Sequence, residues 1–309
     1  MLNSKKLFAS VIMAGLAIFT FACSTVASDV RPADVAVNQQ ATSSDPDSFF
    51  QRIEAEYKHR QEVQKEFLSA ASWLAEKTDD AEAREISNLL NDNVVTYMTI
   101  GPKIVSFDHS NKKRPIPLLI VEGNELDDFP YLKAIDNEMD GVGYLVQGDP
   151  PPLMILKNKE KTSNTWKAFL ILHEGMHVKQ YYALPSNAPS KTRFEIALDE
   201  VRAYEFEHRL LDKIGGEKYT SLIMSQITRL ERKKTPMSKK DQDDEERKIN
   251  AVFEEVFKPT GELERKYLWY EFSLELAFRY VDRNSPNKKF AENMKAAVYI
   301  DLHRSGSKK

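Results

Sequence analysis

The chain has 309 residues, enough for one large domain or two small ones, and for a sizeable core. Hydrophobic residues make up 41% and charged residues 29%, an ordinary globular balance. The formal net charge of −3 gives no general attraction to nucleic acid or to an anionic membrane, which sets a nucleic-acid role aside.

Residues 1–27 have the make-up of an export signal. Lys5 and Lys6 form a basic start, and residues 7–22 an apolar run interrupted only by Ser10, Gly15 and Thr20. The run is short for a transmembrane span, and no later segment is apolar enough to cross a bilayer. The expected product is exported, and either soluble or lipid-tethered. Cys23 is the single cysteine, so no disulfide can form within the chain. Its place at the end of the apolar run resembles a bacterial lipoprotein signal, which implies lipidation at Cys23 and membrane attachment through that anchor alone. Ala22 fits the small residue expected before the cysteine, whereas Phe21 and Thr20 depart from the pattern. Cleavage after Ala27, with Thr25 and Ala27 as the small pair, is the other reading.

Residues 28–48 are rich in Asp, Ser, Ala, Gln and Pro, lack an apolar period, and read as a flexible tether. A single domain is expected over 49–309. It opens with helices over 49–77 and 80–90, where apolar residues recur at helical spacing. Short β-like runs follow at 94–100, 103–107, 116–122, 141–147 and 153–157, bounded by Gly, Pro, Asn and Asp. "YLVQGDPPPLMILK" reads as two strands joined by a Gly-Asp-Pro turn. Helices then cover 164–183, 193–214, 218–233, 239–257, 261–281 and 288–302, with Pro185 stopping the first and Gly215–Gly216 ending the second. The order helices, small sheet, helices predicts a mainly helical α+β fold with a small mixed sheet before the 164–183 helix.

That helix carries His173-Glu174-Gly175-Met176-His177, an HExxH sequence. Four helical residues turn roughly 400° and rise about 6 Å, so the two imidazoles leave one face, one turn apart. This is the reach that brings two nitrogens to about 2 Å from one Zn²⁺. Glu174 is rotated by about 100° from His173, beside the metal position, where it can take a proton from a polarised water. By chance alone, about one chain in a hundred of this size carries HExxH, so a third ligand decides its weight.

A third histidine at the spacing HExxHxxGxxH is absent: Gln180 and Ala183 stand where that pattern needs Gly and His. The helix after Pro185 contains Glu200-Val-Arg-Ala203, an ExxA sequence. HExxH with a downstream ExxA resembles the gluzincins, zinc peptidases whose third ligand is a Glu on the next helix. The resemblance covers about 150–212 and implies a zincin-like fold, Zn²⁺ held by His173, His177 and Glu200, Glu174 as general base, and a peptide or protein substrate. Glu195 faces away from Glu200, and Glu207 and His208 lie about 10–12 Å further along the helix. His208 is the alternative ligand, a candidate catalytic group, or a polar residue at the helix end. Asp199 is a candidate acceptor for the outer nitrogen of a ligand histidine, or simply a solvated acid.

On the substrate side, residues 153–157 directly precede the metal helix. Pro150, Pro151 and Pro152 suit the edge of a sheet, where an extended peptide adds as a further strand; a buried strand is the alternative. Candidates to stabilise the oxyanion are Tyr181, Tyr182, Tyr204, His208, Tyr267 and Tyr270. The expected function is therefore an exported zinc metallopeptidase acting in the cell envelope. The alternative is a zincin-like binding or scaffold lipoprotein without turnover. Oligomeric state and cleavage specificity have no sequence signal.

Overall fold

The computed structural model describes residues 24–27, 46–100, 103–108, 112–123, 125, 143–147, 153–158, 162–184, 191–232 and 238–306. Residues 1–23, with Cys23, and most of the tether (28–45) lie outside the described residues. The fold is α+β and mainly helical, with a mixed sheet ahead of the HExxH helix, as the sequence predicts.

Helix α1 (Pro46–Thr78) is followed by α2 (Ala81–Asn93). Asp80 caps α2, its side chain accepting from the backbone N–H groups of Glu82 and Ala83 at 3.1 Å. Strands β2 (Val94–Ile100), β3 (Lys103–Val105), β4 (Ile116–Glu122), β5 (Gly143–Gln147) and β6 (Leu153–Asn158) come next; β1 is Ser24–Ala27, inside the segment read as export signal. The strand order is β1-β5-β6-β4-β2-β3. β2, β4 and β6 run parallel, with Val94 opposite Ile116 and Leu118 opposite Met154. β5 pairs antiparallel with β6; the Gly-Asp-Pro turn expected between them lies outside the described residues.

One expectation about this sheet is corrected. β6 is not an edge: it is flanked by β4 and β5, and Met154, Ile155 and Leu156 are buried. Pro150, Pro151 and Pro152, on which the edge reading rests, lie outside the described residues. The unbroken apolar run is the sequence mark of a strand covered on both faces. A peptide therefore has no free ladder to join at β6.

Helix α3 (Asn164–Ala183) carries the motif. Ser163 caps it, accepting from Trp166 N–H at 3.1 Å, and Glu264 accepts from the Ser163 N–H at 2.6 Å. α3 packs against α1, α2, β5 and the following helix, and residues 168–178 are buried without a break. A helix covered on every side is apolar all round, which accounts for its nearly continuous hydrophobic sequence.

Helix α4 (Arg193–Arg232) is interrupted at Gly216, whose φ of 57° and ψ of −152° leave the helical region. The two helices predicted there are thus one element with a break at the expected glycine pair. Helices α5 (Lys239–Val256), α6 (Glu262–Asn284) and α7 (Lys288–Gly306) complete the chain. α4 is gripped between α3 on one side and α6 and α7 on the other. This arrangement sets Glu200 opposite the α3 histidines. Among the described residues no helix is long and apolar enough to cross a membrane.

Candidate metal centre

His173 and His177 leave the same face of α3, and Glu200 meets them from α4. The three side chains could together hold a metal ion. His173 Nε2 and His177 Nε2 are 3.2 Å apart. Glu200 Oε2 is 3.6 Å from His173 Nε2, and Oε1 is 3.4 Å from His177 Nε2. Bonds of about 2.0–2.2 Å at tetrahedral angles place ligand atoms about 3.3–3.6 Å apart; the three separations are close to that range, with Glu200 meeting one histidine through each of its carboxylate oxygens. The donor set also fits a cation chemically. Two imidazole nitrogens aimed at each other repel when both present lone pairs, unless a positive charge lies between them.

The site is deeply buried: Glu200 is 0% exposed, Glu174 1%, His177 2% and His173 3%. Burial pushes the Glu200 carboxyl up, but the His177 charge and hydrogen bonds from both histidines outweigh this and hold it well below the usual carboxylate range. Burial pushes His177 down; the charge of Glu200, a hydrogen bond to it and the charge of Glu174 raise it above its ordinary value. Glu174 is therefore near enough to His177 to act on it electrostatically.

The outer nitrogens of both rings face acceptors that the sequence reading does not name. His177 Nδ1 lies 3.2 Å from Gln180 Oε1, and the Gln180 amide donates to the Asp199 carbonyl at 3.3 Å. Gln180, whose presence breaks the third-histidine pattern, thus steadies the His177 ring. His173 Nδ1 lies 3.3 Å from Glu207 Oε2. Asp199 is placed differently from the reading that made it a histidine acceptor: its carboxylate takes Lys191 at 2.5 Å and Arg202 at 3.2 Å. Axial distance sets Glu207 aside as a ligand, but a residue too far to ligate is well placed to reach the far side of an imidazole. Gln180, three residues after His177 on a helix, carries a readable signal; Glu207 carries none without the helix packing.

His208 stands apart from the three-ligand group. Its Nε2 is 3.2 Å from Glu271 Oε2, and its ring packs on Phe278. Burial, with Arg279, Lys295 and His173, holds His208 well below its ordinary value. Burial and the neighbouring Glu207 push Glu271 well above its own. Both shifts favour the uncharged form of the group. Of the tyrosines considered for the oxyanion, Tyr204 packs against the His173 ring with centroids 4.9 Å apart. Tyr182 donates to the Pro115 carbonyl and Tyr267 to Glu207, each at 2.7 Å. No family model, curated protein or solved structure matches the chain.

Proposed function

We propose that the protein is an exported zinc peptidase of gluzincin-like arrangement, with His173, His177 and Glu200 as ligands. The observation that carries the reading is the convergence of three donor side chains, with His173 and His177 Nε2 3.2 Å apart and the two Glu200 oxygens 3.4 and 3.6 Å from them, and Glu174 following His173 on α3. A bound Zn²⁺ supplies Lewis acidity to a water molecule and to the scissile carbonyl. Glu174 accepts the proton released by that water and returns it to the leaving amine. Glu200 and the two imidazoles are the residues that would hold the cation, and Glu174 has the separate role of proton transfer. The export-type N-terminus supports a cell-envelope protein or peptide as substrate, and Cys23 a lipid anchor.

Purified protein is expected to carry about one zinc per chain. His173→Ala loses it. Glu174→Gln keeps it and has no peptidase activity. Wild-type protein that takes up no zinc on reconstitution contradicts the reading. The near-complete burial of the ligands favours one second reading, a metal-stabilised scaffold without turnover. Zinc-loaded wild type that cleaves nothing in a broad peptide and protein library decides for the scaffold.

A further inference from the structure

Behind His173 stand a buried carboxyl and a half-buried tyrosine from two other helices. Glu207, on α4, is 1% exposed. Its Oε1 accepts from the Tyr267 hydroxyl of α6 at 2.7 Å, and the Tyr267 ring is itself held edge-on against Trp166 of α3, centroids 4.6 Å apart. One oxygen of Glu207 is thereby fixed. The other, Oε2, makes no completed hydrogen bond; it lies 3.3 Å from His173 Nδ1, and the Glu271 carboxyl of α6 is also close to Glu207. A buried acceptor left in that state costs about 1–3 kcal/mol. A proton on His173 Nδ1 relieves it with a small turn of the ring or carboxyl, and that same proton placement leaves the Nε2 lone pair for a cation.

We propose that Glu207, anchored by Tyr267, is the positioning residue that fixes the tautomer and orientation of His173 as a metal ligand. The inference rests on the metal-site reading above and adds to it the part of the molecule on which metal affinity depends. The two ligand histidines are then supported unequally: His173 by a carboxyl locked between two helices, His177 by the amide of Gln180 on its own helix. Asp199, engaged with Lys191 and Arg202, has no part in it.

The test compares wild type with Glu207→Gln, Tyr267→Phe and Asp199→Asn. Zinc affinity is measured by competition with a chromophoric chelator, and site geometry by the absorption of the cobalt(II)-loaded protein. The His173 tautomer is read by nitrogen-15 NMR on metal-free protein at pH 8. Expected are a loss of affinity of about 10–100-fold in Glu207→Gln, a smaller loss in Tyr267→Phe, an altered cobalt spectrum in both, and no change in Asp199→Asn. Metal-free wild type should show His173 protonated at Nδ1. Glu207→Gln with wild-type affinity and spectrum overturns the proposal. Should that variant not fold, wild-type affinity in Tyr267→Phe overturns it equally. A wild-type His173 protonated at Nε2 overturns it without any metal present. Failure of the wild type to bind zinc is a separate result, and refutes the peptidase reading.

Discussion

Gly175 meets Ile86 with no room for a side chain: a Cβ on Gly175 would stand 2.5 Å from Ile86 Cγ2 and 3.0 Å from Leu90 Cδ1. The central residue of the motif is therefore the crossing point of α3 and α2, and both α2 side chains are fully buried. Alanine is the better helix former by about 1 kcal/mol, yet forcing a methyl into a packed core costs about 1–3 kcal/mol. Ile86 is branched at Cβ and has little freedom to turn aside. Gly175→Ala is expected to lower the stability of the metal-free protein by about 1–2 kcal/mol and to weaken zinc binding, because the two histidines flank the displaced turn. Ile86→Leu, which removes the γ2 methyl, should recover part of the loss in the double variant. Thermal unfolding of the four proteins checks this; a stabilised Gly175→Ala refutes it.

Gly216 has a φ of 57° and a ψ of −152°, and a Cβ there would meet nothing within 4 Å. Its requirement is conformational and not one of space. That region is essentially open to glycine alone, and forcing another residue into it costs about 1–3 kcal/mol. Gly216→Ala is expected to lose that amount in urea unfolding. Asn is tolerated in the left-handed helical region, near ψ of about +47°, but not here. Gly216→Asn should therefore be no better than Ala, and rescue by Asn refutes the conformational account.

Asp80 combines a helix cap with a clamp. Besides capping α2 it takes Arg209 Nε at 2.9 Å and Lys213 Nζ at 3.0 Å, both from α4. Burial pushes its carboxyl up, but hydrogen bonds from Arg209, Lys213 and the Ala83 N–H outweigh this and hold it well below the ordinary 3.8. A depressed carboxyl contributes stability that is present above the unfolded value and lost as pH falls towards the folded one. Asp80→Asn keeps the cap and loses the charge; Asp80→Ala loses both. Ala is expected to cost about 1–2 kcal/mol at pH 7, mostly from the cap. Asn should cost less, since pairs with half-exposed cations are worth about 1 kcal/mol or less. Urea unfolding at pH 7 and pH 3 measures it: both variants should lose less than wild type on acidification, and a penalty that does not shrink in acid refutes the linkage.

Much of this was legible in the chain because it is local. The 164–183 helix, its serine cap and the four-residue histidine spacing follow from a period of 3.6, and the Gly215–Gly216 break from the backbone freedom of glycine. Glu200 was legible as the third member of the buried group that could hold a metal ion, because one further helix was enough to present it. Strand order was not: whether β6 lies inside or at the edge of the sheet depends on β4, a parallel partner far back in the chain, pairing on the side away from β5, and an apolar run tells of covered faces, not of paired edges. Glu207 and Tyr267 were hidden for the same reason. Each is an ordinary residue on its own helix, and they become a support for His173 only once α6 packs on α4.

Glu275 gives the stability of the protein an unusual slope with pH. It is 1% exposed on α6, accepts from the Tyr219 hydroxyl at 2.7 Å and lies 2.7 Å from Arg279. Burial raises its carboxyl most; the Arg279 charge opposes this, Asp212 adds to it, and the balance is a value of about 7 against an ordinary 4.5. Between those two values the folded chain holds a proton that the unfolded chain has released. The contribution of Glu275 to stability therefore declines as pH rises from 4.5 to about 7 and is level above that. The whole span amounts to something on the order of 3 kcal/mol at most. Glu275→Gln removes the titration, keeps a carbonyl acceptor for Tyr219, and leaves Arg279 paired with Asp212. Metal-free wild type and variant should have similar unfolding temperatures near pH 4, with the variant progressively more stable up to pH 8. Working without metal keeps the titration of the ligand histidines common to both. A difference that stays flat across this range, or one that favours wild type at pH 8, shows that Glu275 is ionised in the fold and that its partners outweigh its burial.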